Sequence, residues 1–173
     1  MKKLTLILIT IALLICFKPA DISAQTGDVA VGAGIVYGAD VEEIGIQLGG
    51  TYSFNPNIRF GADLIYWLIG DEDFFGASFS TNAFEINGNF HYIFHDTRDL
   101  TLYGLASAGI HIVSVSVDIP GFGSESESDS EVAIGVGAGL EYNLGGVKLY
   151  AEPRVFLSGL DQFQLAAGVR IPF

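Results

Sequence analysis

The chain has 173 residues, enough for one domain, and half of them are hydrophobic. Its formal net charge is −12, from 20 acidic and 8 basic residues, which makes nucleic acid a poor partner. The single cysteine, Cys16, excludes an intramolecular disulfide and a cysteine-based metal site.

The first predicted element is a leader. Lys2 and Lys3 precede an apolar run over residues 4–17, and Ile22, Ser23 and Ala24 form a cleavage site. This is the three-part pattern of a secretory signal peptide over residues 1–24, too short to span a bilayer. Ile15 stands where a lipoprotein signal has a small residue, which argues against lipidation of Cys16. Cleavage after Ala24 leaves residues 25–173 with 5 basic and 19 acidic residues.

Eight segments then alternate with period two, the signature of strands with two different faces. They are "DVAVGAGIVYGA" from Asp28, "EIGIQLGGTYSF" from Glu43, "IRFGADLIYWL" from Ile58 and "AFEINGNFHYIF" from Ala83. "LTLYGLASAGIHIVSVSV" follows from Leu100, "EVAIGVGAGLEYNL" from Glu131, "GVKLYAEPRVFL" from Gly146 and "QLAAGVRIPF" from Gln164. In the fifth, apolar parity switches near Ile112, from Ile110 and Ile112 to Val113, Val115 and Val117, and a bulge is expected there. "NPN", "HDTRD" and "GG" read as tight turns. "DVEE", "GDEDFFGASFST", "DIPGFGSESESDS" and "SGLDQ" read as the other set of connections, mostly longer. "GSESESDS" has the composition of a mobile, low-complexity loop. Alternating turns and loops make an up-and-down meander.

The two faces decide the solvent. One carries Leu, Ile, Val and aromatics, with Tyr37, Tyr52, Phe54, Tyr66, Tyr92, Phe94 and Tyr142 near strand ends. The other is largely Gly, Ala and Asn, with balanced charges: Arg59, Lys148, Arg154 and Arg170 against Asp63, Glu85, Glu141 and Glu152. Buried charges persist when paired, and His91 joins this face beside Asn89. An apolar band facing lipid, aromatic girdles and strands of about ten residues fit a transmembrane β-barrel. The fold class is therefore all-β: an eight-stranded antiparallel up-and-down transmembrane barrel after a cleaved signal peptide.

In this pattern residues 25–173 resemble the small eight-stranded outer-membrane barrel family, of the OmpX and OmpA-transmembrane-domain type. The resemblance rests on the whole strand pattern and on the final alternating strand ending at Phe173. It implies a bacterial outer-membrane location, contact with lipid and lipopolysaccharide, a monomer, and Phe173 as a signal read by the barrel-assembly machinery. Pro172 departs from the family's usual ending and has no N–H for the ladder. With no cell-wall-binding domain following, a cell-wall tether is not expected.

No cofactor, no metal centre and no catalytic residues are expected. His111 and Ser114 are the only local His–Ser pair, and on a regular strand they face opposite sides. In or beside the longer connections lie twelve acids and no base: Asp40, Glu42, Glu43, Asp71, Glu72, Asp73, Asp118, Glu125, Glu127, Asp129, Glu131 and Asp161. Of these, Glu125, Glu127, Asp129 and Glu131 are weak candidates for loose capture of divalent cations, without the ligand order of a calcium loop. The expected function is a non-enzymatic surface barrel with a plugged lumen, in envelope integrity or adhesion. A narrow channel for small solutes is the alternative, and a lipid-modifying enzyme the least favoured.

For the hairpin around Gly145, a turn pairing Asn143 with Gly146 puts Glu141 opposite Lys148 and Gly137 opposite Glu152. A turn centred on both glycines shifts that pairing by two residues. Either way, large side chains meet small ones across an interior just wide enough to be filled.

Overall fold

The structure is a computed structural model that describes residues 27–70, 72–74, 77–119, 123–158 and 162–173. The expected leader over residues 1–24, and the acids Asp71 and Asp161, lie outside the described residues.

Among the described residues, nine strands form one antiparallel sheet: β1 (Val29–Gly38), β2 (Glu43–Asn55), β3 (Ile58–Trp67), β4 (Glu72–Phe74), β5 (Ala77–Asp96), β6 (Leu100–Ile119), β7 (Gly123–Asn143), β8 (Lys148–Ser158) and β9 (Phe163–Pro172). Eight of them close a ring. β3 pairs with β5, skipping the short β4, and β1 pairs with β9. Closure removes the open edges that would leave backbone groups unsatisfied in lipid.

The ring is inverted relative to a soluble barrel. Ile35, Leu48, Phe54, Phe94, Val136 and Leu157 all point outward and are exposed. Arg59, Glu141, Glu152 and Arg154 are buried inside, each at 4% exposure or less. A contiguous apolar belt of this extent is not compatible with water, and a bilayer is the solvent that matches it.

The tight turns fall at one end of the ring and the longer connections at the other, as in outer-membrane barrels with short periplasmic turns. At the β2–β3 turn, Asn55 Oδ1 accepts from the N–H groups of Asn57 and Ile58, both at 2.8 Å. At the β7–β8 turn, Leu144 N–H donates to the Val147 carbonyl at 2.8 Å. Gly145 and Gly146 occupy the two central positions with φ of 84° and 121°. Positive φ at both central positions is what a two-residue hairpin turn demands. The observed register is thus the one centred on the glycines, with Asn143 opposite Lys148, Glu141 opposite Tyr150 and Gly137 opposite Arg154. The pairing of Asn143 with Gly146 is corrected.

Two further expectations are corrected on the opposite side. The segment "GSESESDS" is strand, not loop: it begins β7, and Ser124 to Glu131 pair one for one with Asp118 to His111 of β6. Ser/Glu alternation has period two, so the two faces of a strand suit it even though its composition reads as disordered. The bulge near Ile112 is also absent. The ladders from β6 to β5 and β7 run through that position without a shift. The ladder shift between β5 and β6 lies instead at Ile93/His95. Apolar residues change face near Ile112 because the strand leaves the belt, so the solvent changes while the backbone does not. β5, β6 and β7 therefore continue past the ring as an outer sheet, to which β4 adds through Glu72 opposite Phe79.

Candidate functional site

The lumen is built by the strand face opposite the lipid. Alternation from Arg59 along β3 brings Gly61, Asp63, Ile65 and Trp67 inward. The same rule on β8 delivers Lys148, Tyr150, Glu152 and Arg154. Long side chains fit because glycines face them. Gly139 lies opposite Tyr103, and a Cβ there would sit 2.2 Å from the tyrosine ring. Gly137 lies opposite Arg154 in the same way.

The lower lumen is one charge network. Glu152 is at its centre, accepting from Arg154 Nη2 (2.6 Å), Arg170 Nη2 (2.6 Å) and Tyr103 Oη (2.6 Å). Arg154 also reaches Asp63 at 3.2 Å, and Asp63 accepts from Asn87 (3.1 Å) and Asn89. Glu141 pairs with Arg59 (2.9 Å), Lys148 (3.7 Å) and Arg170. Arg59 Nε donates to His91 Nδ1 at 3.0 Å, and the His91 ring stacks on Tyr103. The Arg170 guanidinium lies 4.1 Å over the Tyr150 ring, whose hydroxyl donates to Gln47 at 2.8 Å. Planar guanidinium groups that pair and stack at once suit such a packed interior better than lysines. Two cavities among these residues are about 20 Å³ each.

Glu85 stands apart, nearer the outer end. It accepts from Trp67 Nε1 (2.8 Å) and Gln164 Nε2 (2.9 Å), and His111 Nε2 lies 3.3 Å away. The structure thus brings Arg59, Asp63, His91, Glu141, Lys148, Glu152, Arg154 and Arg170 together and places Glu85 in a second group. Sequence reading missed Tyr103, Trp67, Gln47, Gln164 and His111 as partners. Parity alone identifies them. Aromatic character suggests lipid instead, and that signal conflicts with parity.

Other expected residues do not converge. His111 is buried inside, whereas Ser114 faces the other side and donates to Ser128 Oγ at 3.0 Å. Glu125, Glu127, Asp129 and Glu131 occupy alternate positions along β7, so neighbouring side chains are separated by about 7 Å of strand. No group of three His, Cys, Asp or Glu residues among the described residues could hold a metal ion. Phe173 is exposed, and its N–H donates to the Val29 carbonyl at 2.8 Å, extending the β1–β9 seam.

Residues 123–130 of β7 form the other notable surface. Among the described residues they pair with β6 alone, while β8 joins β7 only from Ile134 onward. One face of this free edge carries Glu125, Glu127 and Asp129 beside Val117, Val115 and Val113, and the other carries serines.

No curated protein matches the chain in sequence. Solved structures match its fold. Ail, the attachment invasion locus protein of Yersinia pestis, superposes with a TM-score of 0.56 at 22% identity over 85% of this chain and all of that one. Ail in complex with the heparin analogue sucrose octasulfate gives a TM-score of 0.61 at 20% identity, over 85% of this chain and all of that one. The N-terminal β-barrel domain of Pseudomonas aeruginosa OprF gives 0.56 at 15% identity, over 87% of this chain and all of that one. At these identities the likeness is one of fold. The sequence itself matches the outer membrane protein beta-barrel domain over residues 8–157. With its closed antiparallel ring, lipid-facing belt and polar interior, the chain belongs to the outer membrane protein β-barrel family and is a bacterial outer-membrane protein.

Proposed function

We propose that this is a non-enzymatic surface barrel, monomeric in outer-membrane lipid, whose lumen is plugged and whose outer sheet binds extended polypeptides in adhesion. The free edge at residues 123–130 carries the reading. Unpaired strand edges accept a further strand through backbone hydrogen bonds, and side chains at alternate positions supply selectivity. Eight residues extend about 26 Å, long enough for several such bonds.

The stripe of Glu125, Glu127 and Asp129 sets the partner's chemistry. It favours a segment with Lys or Arg at alternate positions and repels a polyanion. Ail has been crystallised with a polysulfated ligand; the acidic stripe argues that this chain differs in what it takes.

The test uses the register. Ser114 and Ser128 are directly opposed, so residues 115–127 can be replaced by Asn-Gly to give a short hairpin without disturbing the ring. Cells displaying the full chain are expected to adhere to a surface bearing an alternating Lys-Thr peptide, less so at high salt, and not to heparin. Shortening the hairpin should abolish adhesion while heat-modifiable gel mobility persists. Undiminished adhesion by the shortened form, or capture by heparin, refutes the reading.

The plug has its own expected outcome. The paired side chains and the small size of the cavities among them support a closed lumen, so the purified protein should conduct ions poorly in planar bilayers. Arg154→Ala should raise conductance and lower stability together. A large, steady conductance of the unmodified protein would make the narrow channel the better reading.

A further inference from the structure

The inward face is small or polar over most of the ring, but at the outer mouth it turns apolar. Val36, Ile65, Trp67 and Ala83 belong to one buried cluster there, and Ile69 and Val113 pack against it. Ala83 makes a gap in this layer. It lies on β5 directly between Trp67 of β3 and Val113 of β6. A methyl group flanked by two larger side chains leaves a cavity of about 220 Å³, walled by Trp67, Ile69, Ala83 and Val113 among others. Nothing in the adhesion reading uses it.

The polar residues around the cavity direct their polar atoms elsewhere. The Glu85 carboxylate accepts from Trp67 Nε1 and Gln164 Nε2, and Gln162 Oε1 also accepts from Gln164 Nε2. Both ring nitrogens of His111 are buried away from it. The wall is therefore apolar almost throughout. Water enclosed in protein needs polar partners, and this wall offers none. Left empty, the lining loses dispersion contacts. The fitting occupant is one that brings no hydrogen-bonding group. Charge narrows the class further: Glu43 borders the cavity, and Glu131 lies exposed opposite His111 on the same face. Those carboxylates disfavour an anionic amphiphile.

Size sets the upper limit. An apolar cavity of about 150 Å³ accommodates benzene, whereas drug-sized ligands need about 300 Å³ or more. We infer that the outer mouth binds a small uncharged hydrocarbon of alkylbenzene size, seated over Ala83 against Trp67 and held by burial of apolar surface alone.

Trp67 is the only tryptophan in the chain and reports the site directly. The probes are bromobenzene, 4-bromophenol and 4-bromobenzoate, whose bromine quenches tryptophan fluorescence, added to the full chain folded in phospholipid vesicles. Bromobenzene should quench saturably above the linear background of its partition into lipid. 4-Bromophenol should bind about tenfold more weakly or worse, the effect of burying a hydroxyl without a partner. 4-Bromobenzoate should show no saturable quenching. Ala83→Leu and Val113→Phe each fill the gap and should abolish the saturable part for bromobenzene. Heat-modifiable mobility identifies the variants that fold, and the ranking of the three probes on the unmodified protein decides even if neither does. Purely linear quenching by bromobenzene would mean that lipid tails or the chain's own connections fill the cavity, and it would overturn the proposal. So would saturable quenching that survives in a folded filling variant, or 4-bromophenol or 4-bromobenzoate binding as tightly as bromobenzene.

Discussion

Glu152→Gln is expected to destabilise the barrel by about 3–5 kcal/mol, the range for breaking a buried ion pair by removing one partner. Glu152 is fully buried and holds two arginines and a tyrosine hydroxyl. Before the change, Arg59, Lys148, Arg154 and Arg170 stand against Asp63, Glu141 and Glu152 in the lower network. Afterwards two carboxylates remain for four cations, and the amide presents an N–H group to a guanidinium. The shape is nearly unchanged, so the loss is electrostatic. The readout is the urea midpoint of the heat-modifiable band in lipid vesicles. Adding Arg154→Met should recover part of the loss, because the second change removes the charge left without its partner. Glu131→Gln, on the exposed outer strand, should stay within about 0.5 kcal/mol. An unchanged midpoint for Glu152→Gln would show that water, not arginine, compensates that carboxylate.

Gly168→Val is expected to remove most of the folded protein, through backbone geometry alone. Gly168 faces Gly34 across the β1–β9 seam. A Cβ on Gly168 would lie 2.2 Å from the Ala33 carbonyl oxygen and 2.5 Å from Gly34 Cα. Backbone has no rotamer with which to yield, so the seam itself must move. Tyr150 depends on the same space, since its hydroxyl lies 2.4 Å from where a Gly34 Cβ would be. The matched change Ala167→Val adds its bulk one residue away, on the lipid-facing parity, and should fold normally. Comparing the folded fraction of the two variants isolates the seam. Equal yields would show that β9 can shift outward without losing its ladder.

These two residues also show what sequence can disclose. Parity placed Arg154, Glu152 and Arg170 on one face, because a strand's period of two is set by the backbone and not by neighbours. It placed the lipid-facing belt for the same reason. Which charge meets which was not legible, because the β7–β8 turn admits two registers. Positive φ at both Gly145 and Gly146 decides between them. The outer sheet was misread for a different reason. Serines and glutamates resemble disordered chain by composition, yet Ser126 and Ser128 have β6 serines opposite them and Glu127 has a valine. The aromatic partners Tyr103 and Trp67 were missed where chemistry pointed to lipid and parity to the interior.

The β1–β9 seam also shapes the order of events in assembly. Every other neighbouring pair in the ring joins strands close in sequence, while Gly34 and Gly168 meet across about 130 residues. Chain entropy alone is a weak obstacle, since each doubling of a loop adds only about 0.6 kcal/mol. The unfinished ring is the larger one. Until that seam forms, β1 and β9 would present unpaired N–H and C=O groups to hydrocarbon, at several kcal/mol for each group as an order of magnitude. A half-closed sheet is therefore not a stopping point inside a bilayer. Hairpins can form early, but entry into the membrane and closure of the ring must proceed together, or beside a surface that lends both edges a temporary strand.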